Sequence, residues 1–182
     1  MIEFRKLRAD EIDVRVGKVF KDNKGNVRGI TLLLYKDARV DMDILDETVG
    51  PVNWMRDHKE LKGVVYCGVG LRASWPDEGV HEWIWKWDAG AESYTEKEKG
   101  EASDSFKRAC VCVGIGRELY TAPLIWIDTS KVKIVSGKVK DRFKVRYIDY
   151  EGKAINCLVI ENDRKEIVFS YGTPSKVNND AG

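Results

Sequence analysis

The order of segments predicts an α+β fold: antiparallel β-sheet built around a β-β-β-α core, with packed helices and a further β-hairpin region toward the C-terminus. Three observations carry this reading. Strand-like runs come in two blocks, at 54–88 and 124–171; one long helix-like segment separates them; and no regular βαβ alternation occurs that would make a parallel sheet.

Residues 7–20 are expected to form a short amphipathic helix, followed by a turn at Lys24-Gly25-Asn26 and an apolar strand at 29–35. Asp37 to Val49 reads as a second helix. Trp54 to Glu60, Val64 to Trp75 and Val80 to Asp88 then read as three consecutive antiparallel strands, turning at Lys62-Gly63 and at Pro76-Asp77-Glu78-Gly79. In the third of these, Trp83, Trp85 and Trp87 alternate, so their indoles share one face while Glu82, Ile84 and Lys86 share the other. An indole stripe suits base stacking. Its large area is more often buried in a core or between subunits, and burial is the expectation here, with Trp87 near the strand end as the exception.

Gly100 to Tyr120 holds the long helix. Winding it at about 100° per residue gathers Ala102, Phe106, Ala109, Cys110 and Val113 on one face and Asp104, Lys107, Arg108 and Val111 on the other. Gly114 and Gly116 supply the backbone freedom of a helix end, so the helix should stop near Gly114. Beyond Tyr120 the chain returns to strands at 124–128, 142–150, 154–161 and 165–171, with Glu151-Gly152 as a hairpin turn. Residues 1–172 are read as one globular domain and 173–182 as a polar, flexible tail.

Composition narrows the function classes. The chain has 182 residues, 43% of them hydrophobic, and a formal net charge of +1, which is not the uniformly basic profile of many nucleic-acid binders. The distribution is more telling: residues 131–146 carry seven cations against the single acid Asp141, whereas 77–104 is rich in Asp and Glu. No run of about 18 apolar residues and no leader-like amino terminus occur, so a cytoplasmic protein without a membrane partner is expected, in a bacterial or phage-infected cell. Cys67, Cys110, Cys112 and Cys157 fit no disulfide framework or zinc spacing and are read as reduced, mostly buried thiols.

No nucleophile constellation is present: the two histidines lie in unrelated strands and no Gly-x-Ser-x-Gly elbow occurs. Asp41, Asp43 and Asp46 suggest a metal-dependent nuclease, but on one helix they cannot all face one ion. Gly114-Ile115-Gly116 follows a helix rather than opening one, so no phosphate loop is expected. The chain is accordingly read as no enzyme, with no catalytic residues, cofactor or metal.

The run SDSFKRACVCVGIG resembles the helix signature of the Rad-fifty-two type single-strand annealing proteins: serine or threonine, aspartate, small, apolar, Lys-Arg-Ala, then glycine. Ser103, Asp104, Ser105, Phe106, Lys107, Arg108, Ala109 and Gly114 match it. Upstream, LRASWPDEGVHE is similar to the family's strand, turn and His-Glu strand. ARVDMDILDETVGPVNW is similar to its short helix opening with Arg-Val, here Arg39, and LRADEIDVRVG to its first helix, so the likeness spans roughly residues 7 to 120. The chain departs from the pattern at Val111, where the family often has a further basic residue, and at Pro51, where it has an aromatic.

The resemblance implies a single-stranded DNA-binding and annealing protein of phage or prophage type, acting in homologous recombination and DNA repair without ATP. Its implied partners are single-stranded DNA, a complementary strand and further copies of itself in a ring or helical filament. It further implies that Arg39, Lys107 and Arg108 line an inner DNA groove. Arg39 opens its helix, where the dipole disfavours a cation unless an anion is near; a phosphate would resolve this, as would Asp41 or Asp43. Arg72 stands between contact with the DNA backbone and a structural ion pair. Lys133, Lys138, Lys140 and Arg142 form an outer DNA contact or a merely solvated face. An RNA-binding or structural module without annealing activity is the alternative, and a nuclease the more distant one.

Overall fold

A computed structural model of the chain describes residues 2–75, 80–90 and 97–174. In chain order the strands and helices are β1 (Asp13–Lys21), β2 (Val27–Tyr35), α1 (Ala38–Val49), β3 (Trp54–Leu61), β4 (Val64–Trp75), β5 (Val80–Ala89), α2 (Lys97–Val113), β6 (Ile125–Asp128), β7 (Ile134–Val135), β8 (Lys138–Val139), β9 (Phe143–Glu151), β10 (Ala154–Asn162) and β11 (Ile167–Gly172). All strand pairing is antiparallel, as an α+β chain with clustered strands requires. The chain divides into two compact units: Met1–Lys6 with Lys36–Gly116, and Leu7–Tyr35 with Arg117–Gly182.

In the first unit β3, β4 and β5 form a three-stranded sheet. Lys62 and Gly63, both at positive φ (53° and 76°), make the two-residue turn that a twisted hairpin favours. The expected turn at 76–79 lies outside the described residues. Helix α2 packs on the sheet and α1 packs on α2, burying Ile44, Leu45, Val69, Phe106, Ala109 and Cys110. The apolar face expected of the long helix is thus the one that packs. Two polar residues join it: Glu101 and Ser105 are buried as well. Glu101 accepts the backbone N–H of Val65 at 3.1 Å, satisfying an amide at the start of β4. Helix α2 ends where expected, with Gly114 at φ 121° and its N–H on the Cys110 carbonyl.

The second unit is a six-stranded sheet in the order β11-β10-β9-β1-β2-β6. Its core includes Ile30, Leu32, Ile127, Leu158 and Ile160. The helix expected over 7–20 is not formed: only Ala9–Glu11 makes a helical turn, of the 3₁₀ type, and β1 follows. Val14 and Val16 alternate at strand period on either side of Arg15, and β-branched side chains with an interior Gly17 lower helix propensity. Tertiary pairing then decides, since β1 lies between β2 and β9. The hairpin joining β9 and β10 turns at Gly152, φ 58°, beside Glu151 as expected. Most of the polar tail, residues 175–182, lies outside the described residues.

Candidate nucleic-acid interface

Arg39 stands in the first turn of α1. Its side chain is 85% exposed, and its guanidinium lies 3.9 Å from Asp37, whose carboxylate caps the helix by accepting the Arg39 N–H at 2.8 Å. The anion that offsets the dipole is therefore the cap itself. The pairing of Arg39 with Asp41 or Asp43 is corrected here. Asp41 is fully buried and paired instead with Lys36, itself only 4% exposed, while Asp43 is exposed.

This buried pair is one that reading the sequence alone misses. Lys36 donates to Asp41 Oδ1, and Asp41 Oδ2 has no hydrogen-bond partner. Burial pushes the Asp41 carboxyl up to about 6, more than the Lys36 charge and hydrogen bond and the Lys107 charge pull it down. A signal does exist in the sequence. Asp41, Ile44 and Leu45 share the i, i+3, i+4 spacing of one helix face, and a carboxylate on an apolar stripe needs a buried partner.

Lys107 is half-buried on α2, close enough to Asp41 for its charge to act there. Arg108 points outward. Its Nη2 lies 3.5 Å from Asp88 Oδ1 of β5, with the two side chains 45% and 30% exposed. The Asp88 carboxylate also accepts from the Ala89 N–H at 2.8 Å and lies 3.7 Å from the Cys112 sulfur. Cys67 of β4 and Cys110 of α2 are both buried, and burial pushes the Cys67 thiol up to about 11 and raises the Cys110 thiol as well. All four cysteines are free thiols.

Arg72 does not share a face with these helix cations. The β4–β5 register sets it opposite Trp83, and the alternation of β4 puts it on the sheet face opposite buried Val69 and Cys67. It is exposed and makes no ion pair among the described residues. Trp83, Trp85 and Trp87 lie on that same face, sharing it as the alternation requires, and all three are half-buried. Trp54, on the other face, is ring-stacked with Phe106 of α2 at 6.2 Å and donates its indole N–H to Asp46 at 2.6 Å.

The remaining candidates belong to the second unit. Lys138 lies in the short β8, and Lys133, Lys140 and Arg142 flank the β7–β8 ribbon. All four are exposed, and none makes an ion pair among the described residues. Asp141, the lone acid of the run, does not neutralise them. It accepts the Lys133 backbone N–H at 2.6 Å and the Arg164 guanidinium, pinning the base of the ribbon. Later in the run the charges are engaged: Lys144 and Arg146 both reach Glu161, at 3.1 and 3.5 Å, and Lys165 joins at 3.3 Å. Burial alone would raise the Glu161 carboxyl, but hydrogen bonds from Lys144 and Lys165 outweigh it and hold it low.

Among the described residues no group of three or more His, Cys, Asp or Glu is placed to hold a metal ion. None of the helices among them is long and apolar enough to cross a membrane. No protein-family model, curated protein or solved structure matches the chain.

Proposed function

We propose that the chain binds single-stranded DNA and anneals it to a complementary strand in homologous recombination or DNA repair, without ATP, as a cytoplasmic homo-oligomer in a ring or helical filament. What supports this reading above all is α2: the SDSFKRA run lies on a helix whose Phe106, Ala109 and Cys110 are buried while Arg108 projects to solvent and Lys107 stands beside it. Exposed Arg39, in the same unit, adds a third cation of the type the resemblance assigns to the groove.

An annealing protein must hold the sugar-phosphate backbone and leave base edges free to test a second strand. Arginine and lysine on a packed helix do this: they bind phosphate oxygens, carry no base readout, and keep their geometry because the helix is anchored. Three phosphate contacts per subunit give weak binding alone. Repetition around an oligomer multiplies them on one continuous strand.

The test is direct. The full chain should bind a dT oligonucleotide with an affinity that falls steeply with salt, and should accelerate pairing of two complementary oligonucleotides without nucleotide or metal. Absence of salt-sensitive binding would overturn the proposal. Mg²⁺-dependent shortening of the strands on a denaturing gel would replace it with a nuclease.

A further inference from the structure

The cations of α1 and α2 address a nucleic-acid backbone and leave the bases without a partner. A surface of the right chemistry for bases lies elsewhere in the same unit, on the sheet face turned away from α2. There the register sets Trp85 opposite Gly70 and Trp87 opposite Gly68. A Cβ built on Gly68 would stand 2.6–2.7 Å from three fused-ring atoms of Trp87, and one on Gly70 2.9–3.0 Å from the same atoms of Trp85. Side chains at 68 and 70 are thus excluded, and the glycines let each indole settle its ring against the neighbouring strand. The two rings have centroids 5.6 Å apart and planes only 24° apart, so they make one aromatic platform.

Cations accompany it. The Lys59 ammonium lies over the Trp87 ring, 4.4 Å from its centroid, on a flexible four-carbon stem that a stacking base would displace toward its own phosphate, and exposed Arg72 lies across from Trp83. Among the described strand side chains on this face the only carboxylate is Asp57, 3.8 Å from Lys59. The centre of an interface between protein copies is depleted in lysine, whereas an aromatic platform edged by lysine and arginine is how single strands are held without sequence preference.

We infer that this face is a second nucleic-acid surface, taking the bases of a single strand by stacking on Trp85 and Trp87, with Lys59 and Arg72 on the flanking phosphates. The inference rests on the proposed function and adds to it the place and mode of base contact.

The experiment compares a dT oligonucleotide with an abasic deoxyribose-phosphate oligomer of equal length and charge. The wild-type chain should bind dT about tenfold or more tightly than the abasic oligomer, and dT alone should quench its tryptophan fluorescence. The Trp85→Leu, Trp87→Leu double variant should bind both oligomers equally, while Trp85→Phe, Trp87→Phe keeps most of the preference. Equal binding of dT and abasic oligomer by the wild type overturns this inference and leaves the proposed function standing; no binding of either overturns both. A Leu variant that sediments as a smaller species yet keeps its preference for dT also overturns it, and assigns the face to contacts between copies. Should the Leu variant fail to fold, the quenching of the wild type by dT against abasic oligomer decides alone.

Discussion

Lys107 and Arg108 ride on a helix anchored by Phe106, Ala109 and Cys110, each with a carboxylate close by, Asp41 for the lysine and Asp88 for the arginine. Lys133, Lys138, Lys140 and Arg142 flank or lie on a ribbon of two-residue strands, free of ion pairs among the described residues. Counting charges along the chain ranks the second group above the first. Geometry reverses the ranking: the helix cations are few but held in place, and a fixed cation spends less side-chain entropy on each phosphate it binds. The ribbon offers charge without fixed aim, which serves long-range attraction more than grip.

The sharpest way to break this contrast is to remove the ionic support beneath the helix cations. Lys36→Met would leave Asp41 buried with no counter-charge, costing about 3 kcal/mol or more at neutral pH. The pH dependence has a definite sign. The Asp41 carboxyl, at about 6, titrates above its ordinary value, so its favourable contribution is complete below about pH 4 and is lost as pH rises through 6. Without Lys36 the carboxyl rises further. Urea unfolding should therefore show a larger loss for Lys36→Met at pH 7.5 than at pH 5. Equal losses at the two values would mean the pair contributes packing rather than charge.

Next in size is the effect on binding. Lys107→Ala with Arg108→Ala should weaken dT binding by about a hundredfold at moderate salt, and should reduce the slope of log K against log salt by about 1.4, near 0.7 for each phosphate no longer neutralised. Fluorescence anisotropy across a salt series measures both. Lys138→Ala with Lys140→Ala should cost less than about tenfold, acting mainly on the association rate in stopped flow. If the ribbon pair costs as much as the helix pair, fixed geometry is not what distinguishes the two regions.

How far the sequence makes this contrast legible depends on range. The three strands β3 to β5, the turn at Lys62-Gly63, the hairpin at Gly152 and the end of α2 at Gly114 are local events, written in alternation and turn chemistry, and all are readable. Residues 7–20 mislead because Ile12, Val16, Val19 and Phe20 fall at helical spacing, which competes with the alternating valines, and only pairing with β2 and β9 settles it. The partners of charges are least legible. Asp88 with Arg108, and Glu161 with Lys144 and Arg146, are contacts between separate elements, and nothing in the spacing of a lysine says whether a carboxylate will arrive from another strand. Glu101 escapes notice for the same reason, since its partner, the Val65 amide, comes from the strand it packs against. Lys36 is different: its partner Asp41 is five residues on, and what hides the pair is that helix burial, not spacing, takes both charges out of water.

The smallest effect tests the comparison most finely. Asp88 lies 3.5 Å from Arg108, in a pair exposed enough that its net worth is below about 1 kcal/mol, and under the proposed function it would compete with phosphate for that arginine. Asp88→Asn keeps the side-chain oxygen that accepts the Ala89 N–H and removes only the charge. Arg108 then loses its internal anion and gains on an external one, so dT should bind about two- to fivefold more tightly, with the gain largest at low salt. The opposite result carries equal information. Weaker binding by Asp88→Asn would mean that the carboxylate aims Arg108 at the strand rather than withholding it, and the arginine would owe its fixed geometry to β5 as much as to its own helix.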